Sequence, residues 1–158
     1  MLKSTRRVCL MFLLGAMCGA VAAADTPEVT PVRDALTPAR EKIAAKNWSG
    51  AIDELKRLND VGNADWNNLM GYSLRKASPP DLASAEKFYD DALRINPKHR
   101  GALEYSGELY LMQGHLPKAE QRLTALDKAC FLPCAEYNDL KNAVARFKAA
   151  GNKYVAAP

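Results

Sequence analysis

The chain of 158 residues offers few side chains whose type and spacing could do chemistry. The most distinct feature is Cys130-Phe131-Leu132-Pro133-Cys134, with a thiol at each end of five residues. Two thiols at that spacing can close a disulfide, cycle as a redox pair or contribute to a copper site. A cysteine at a helix start has a lowered pKa, which favours reactivity. A copper site needs a further ligand, and His99 or Met112 could supply it only through the fold. The two histidines, His99 and His115, fall in expected turns and read as solvated residues. A zinc site takes about four ligands at suitable spacing, which these residues do not offer, so no metal and no other cofactor is expected. Asp90 and Asp91 are neighbours in a helical segment, about 100° apart around its axis, and read as a solvated face. The serines lack a nucleophile elbow, and no glycine-rich loop follows a strand pattern. No catalytic residue is therefore expected.

The compartment bears on the cysteines. Lys3, Arg6 and Arg7 precede an apolar run from Val8 to Val21, and Ala22-Ala23-Ala24 leads to the first acid, Asp25. A basic start, an apolar run and a small-residue exit predict a secretory signal peptide over 1–24. Ordinary Sec export fits better than the twin-arginine reading of Arg6-Arg7 or lipidation at Cys18, whose neighbour Met17 is large for a lipobox. Cleavage after Ala24 would remove Cys9 and Cys18 and leave Cys130 and Cys134, an even number that predicts one structural disulfide in the periplasm or outside the cell. The whole chain carries 22 Lys and Arg against 18 Asp and Glu. Lys3, Arg6 and Arg7 would leave with the signal, so the mature chain is nearly neutral. Its charge gives no support for a nucleic acid or an anionic membrane as partner, and no membrane span is expected in it.

The elements that would position these residues repeat. Ala51, Ala85 and Ala119 recur every 34 residues, as do Trp48, Leu82 and Leu116; Leu55, Tyr89 and Leu123; and Leu58, Ala92 and Leu126. Inside each copy the spacing is three, four and three, one face of a helix. A second helix in each unit carries an interior glycine, Gly71 and Gly107, with Ala39 in the first copy. Glycine there costs about 1 kcal/mol relative to alanine, so it predicts a closely approaching neighbour helix. Tyr137, Leu140, Val144 and Phe147 give one more amphipathic helix over 135–150, ended by Gly151 and suited to cap the array.

Trp48-x-x-Ala51, Leu82-x-x-Ala85 and Leu116-x-x-Ala119, with the turn Gly114-His115-Leu116-Pro117 and the helix-ending Asn96-Pro97, resemble the tetratricopeptide pattern. The resemblance covers about 32–150. It departs at Asn63 and Phe131, which stand where the family has proline, and at the longer loop Ser78-Pro79-Pro80-Asp81. It implies an all-α fold: a short right-handed solenoid of three helical hairpins, copies about 32–63, 64–99 and 100–133, with the cap helix 135–150. A flexible lead at 25–31 and a disordered tail at 151–158 flank it. By the resemblance, Asp65, Asn68, Tyr72 and Arg75 of the second copy and Glu104, Glu108 and Leu111 of the third line a concave groove, with Arg33, Leu36 and Arg40 in phase in the first. A protein or peptide held in that groove is the expected partner, with no enzymatic activity. The alternatives are a thiol-redox or copper-handling accessory using Cys130 and Cys134, and a structural subunit of an envelope assembly.

Overall fold

A computed structural model of the chain describes residues 34–132 and 134–156. The expected signal peptide, the lead at 25–31, Arg33 and Pro133 lie outside the described residues. Among those described, all regular structure is helical: α1 (Thr37–Ala44), α2 (Trp48–Leu58), α3 (Ala64–Lys76), α4 (Leu82–Ile95), α5 (Arg100–Met112), α6 (Leu116–Ala129) and α7 (Ala135–Ala149).

Side chains just before four helices fix where they begin. Asn47 Oδ1 accepts from the Gly50 amide at 3.0 Å, and Asn63 Oδ1 from the Asp65 and Trp66 amides at 2.9 and 3.3 Å. Asp81 Oδ1 accepts from Ser84 at 3.0 Å, and His99 Nδ1 from Ala102 at 3.1 Å. Each such cap satisfies an amide that the helix itself leaves unpaired, worth about 1 kcal/mol. Asn63, which departs from the family pattern, thus starts α3. His99 corrects the sequence expectation of a solvated turn residue: it caps α5 and is largely buried. Helix ends follow backbone need. Gly114, after α5, has φ +78°, a conformation open to glycine at little cost.

Consecutive helices pack in pairs, α1 on α2, α3 on α4 and α5 on α6. α3 also touches α5, and α7 lies on α5 and α6. Ala51, Ala85 and Ala119, the small residues of the period, are all fully buried. Two apolar clusters result. One joins Leu36, Ala39, Leu55, Trp66, Leu69 and Met70; the larger runs from Ala85 and Tyr89 to Val144 and Phe147, and Leu74 packs against both. Trp66 also donates its indole N–H to the Leu55 carbonyl at 2.8 Å, so the ring is anchored as well as buried. Truncating a fully buried leucine such as Leu126 to alanine is expected to cost ~2–5 kcal/mol.

The interior glycines mark close approaches. A Cβ on Gly71 would stand 2.8 Å from Tyr89 Cε1 of α4, and one on Gly107 would stand 2.5 Å from Leu140 Cδ2 of α7. The first approach is within a pair. The second is made to the helix beyond it, so the cap helix needs a glycine in α5 to seat Leu140. On α7 the buried set is Leu140, Ala143, Val144 and Phe147; Tyr137, expected in that row, is only half-buried.

Candidate functional site

α3 and α5 present their site residues from adjacent pairs. Asp65, Asn68, Tyr72 and Arg75 follow one another at three, four and three residues, which places them on one side of α3. Glu104 and Glu108 are one helical turn apart on α5. The two helices are joined across this face by Arg75 Nη1, which donates to Glu108 Oε2 at 2.6 Å. Only 2 % of the Arg75 side chain is exposed. Its guanidinium lies 5.5 Å from the ring centroids of both Tyr72 and Tyr105. Those rings are 4.7 Å apart, and Trp48 meets Tyr72 edge-on at 5.9 Å. A charge is thus buried between two aromatic faces and neutralised by one carboxylate. Burial pushes the Tyr89 phenol well above its usual range, against the pull of Arg75, so it stays neutral.

Glu104 is placed differently. The residue is 8 % exposed, yet its carboxyl makes no hydrogen bond and no ion pair among the described residues. Its carboxyl oxygens are not fully enclosed. Burial, then the charges of Glu108, Asp139 and Glu136, push its pKa up to about 8, against the pull of Arg75. Glu104 thus shares its surroundings with the carboxyl groups of Glu108 on its own helix and of Glu136 and Asp139 on α7.

The remaining predicted groove residues divide. Asp65 is exposed and joins two pairs: Oδ1 accepts from His99 Nε2 at 2.8 Å and Oδ2 from Arg40 at 3.4 Å. Because His99 Nδ1 accepts a backbone N–H, Nε2 carries the proton that it donates to Asp65. Asn68 is buried beside Gly101 and spaces α3 from α5. Leu111 is 1 % exposed and belongs to the larger core cluster, so it offers a partner no surface. Leu36 is likewise core, and Arg40 bridges Asp34 and Asp65.

Sequence reasoning missed Trp48, Tyr105, Glu136, Asp139 and the tail. Residues 151–156, expected as disordered tail, follow a turn in which the Asn152 amide donates to Phe147 O at 3.0 Å. Tyr154 is then 37 % exposed, and burial with the nearby Glu108 charge pushes its phenol above the usual range. Tyr154 therefore lies near Glu108 and Arg75. A signal for the cross-pair contacts did exist. Asp65–His99 and Arg75–Glu108 are 34 and 33 residues apart, close to the sequence period.

Cys130 and Cys134 are joined, with Cα atoms 6.0 Å apart. Cys130 directly follows α6, and Cys134 is the residue before α7. Phe131 is fully exposed between them. The cleft beside the cystine is lined by Asp127, Cys130, Phe131, Leu132 and Tyr137, with no histidine or methionine. Among the described residues no three His, Cys, Asp or Glu side chains group where a metal ion could be held. Asp90 and Asp91 turn to separate partners, Arg122 and Arg94.

The fold and face define an all-helical protein of packed helix pairs with a cystine before its last helix. No protein-family model matches the chain, and no curated protein matches it in sequence.

Proposed function

We propose that this chain is an exported tetratricopeptide-like array whose α3–α5–α7 face is a concave groove holding a peptide or a partner protein. The observation that carries this reading is the charged and aromatic face itself. Arg75, Glu108, Tyr72 and Tyr105 come from successive helix pairs and meet at one place, where a purely structural contact would be served by apolar residues. Helical pairs at a 34-residue period, with α7 closing the last one, support the solenoid, and a solenoid's concave side is its usual binding surface. The basic-apolar-alanine start supports export, and the cystine fits an oxidising compartment.

Two measurements test this. The mature protein isolated from periplasm should begin at Asp25; a chain that keeps its first residues and sits in the cytoplasm contradicts export. Partner retained by the mature protein should fall when Tyr72→Ala is introduced, with an unchanged helical spectrum confirming the fold. Undiminished retention places the partner elsewhere, for example on the outer faces of an envelope assembly.

A further inference from the structure

We propose that this face takes a cationic side chain, an arginine or lysine of the partner chain, seated against Glu104 and the Tyr72–Tyr105 rings. The proposal rests on the groove reading above and names what the groove selects.

Three features point to a cation. Glu104 is more than nine-tenths buried and has no hydrogen bond or ion pair among the described residues, yet its carboxyl oxygens are not fully enclosed. A buried carboxyl left without a partner costs free energy, and an incoming cation relieves that cost. Second, the charge around it is unbalanced. Glu108 is matched by Arg75, and Glu136 by Arg100 at 3.6 Å, but among the described residues no cation pairs with Glu104 or Asp139. Third, the wall beside it is aromatic, with Tyr72 and Tyr105 already flanking one guanidinium. Ring faces and carboxylates together favour a guanidinium or ammonium over an anion or a neutral group. A divalent metal is the weaker occupant, since no three acidic, histidine or cysteine side chains group for coordination among the described residues.

The proton on Glu104 gives the proposal its own signature. With the carboxyl's pKa pushed up to about 8, Glu104 is mostly protonated at neutral pH in the free protein. The groups that face it are Glu108 and Tyr105 on its own helix, Arg75 and Tyr72 of α3, and Glu136 and Asp139 of α7. An arriving cation favours the ionised form, so binding at pH 7 expels a proton, and affinity rises as pH goes from 6 to 9.

The experiment titrates the mature protein with acetyl-tetraarginine amide, with acetyl-tetraglutamate and acetyl-tetraserine amides as controls. Amide chemical shifts map the contact, and calorimetry in phosphate and in Tris at pH 7 counts protons. The expected result is shifts at Tyr72, Glu104 and Tyr105 with tetraarginine only. Close to one proton should be released. Affinity should fall about tenfold or more in Glu104→Gln, which also abolishes the proton release. Tetraserine binding this face as well as tetraarginine overturns the cation assignment and leaves the groove reading standing. Tetraarginine binding Glu104→Gln with equal affinity overturns it too. Spermidine binding more tightly than the peptide overturns the partner-chain source in favour of a free polyamine. If none of the peptides moves these amides, both the cation assignment and the groove reading fall.

Discussion

Glu104→Gln is expected to stabilise the protein in alkaline solution and to leave it unchanged in acid. In the folded chain this carboxyl keeps its proton up to about 8, against a usual value of 4.5. Below that usual value both folded and unfolded chains hold the proton, and Glu104 costs nothing. Between the two values only the folded chain holds it. The unfolded state then gains from ionisation as pH rises, and folding stability falls. Above about 8 the loss is complete. Each tenfold difference in proton affinity is about 1.4 kcal/mol, which bounds the loss near ~5 kcal/mol. The oxygens are not fully enclosed, so solvent screens the neighbouring carboxylates and a loss of ~2–3 kcal/mol is expected. Glutamine keeps the shape and removes the titration, so its stability should be flatter by that amount between pH 5 and 9. Urea unfolding followed by circular dichroism, with the cystine intact and ionic strength fixed, measures both curves. Parallel curves for the two proteins would mean that Glu104 is ionised throughout, and the argument from its burial would fail.

Three other perturbations probe the packing around the face. Arg75→Met alone leaves Glu108 unpaired and is expected to cost ~2–4 kcal/mol, while Arg75→Met with Glu108→Gln should cost clearly less than the two single changes added together; additive costs from urea unfolding would mean the ion pair contributes nothing. Gly107→Ala puts a methyl group against the buried Leu140 side chain and should destabilise by ~1–3 kcal/mol despite alanine's better helix propensity, with Leu140→Ala in the same chain relieving part of the clash. A gain in melting temperature for Gly107→Ala would show that α7 does not sit that close. His99→Ala removes both the α5 cap and the Asp65 contact and should cost ~1–2 kcal/mol, where a solvated turn histidine would cost nothing measurable.

Much of the fold was legible because one physical requirement repeats. A small residue at every helix crossing sets the 34-residue period, and Ala51, Ala85 and Ala119 are indeed fully buried. The interior glycines marked close approaches, and both are found. What the pattern did not carry was which helix makes the approach: Gly107 meets α7, because a cap helix takes the place a further pair would fill. The face was legible as positions and not as chemistry. Arg75 read as one charge of a mixed surface, and its burial depends on Glu108 and Tyr105 of the next pair as well as on Tyr72 of its own helix. Leu111 read as groove because the family's spacing puts it in phase, yet at the end of α5 an apolar side chain is worth more in the core. His99 looked solvated because caps are invisible until the helix start is fixed to the residue. Glu104 was found by phase alone; its lack of a partner is a property of the three-dimensional face.

The most direct test of the binding face is site-specific photocrosslinking in the native compartment. A benzophenone side chain placed at Tyr72 is compared with one at Lys87, an exposed residue of α4. The account predicts a discrete adduct from position 72, lost when Glu104→Gln is added, and none from position 87. An adduct from position 87 with none from position 72 would contradict it.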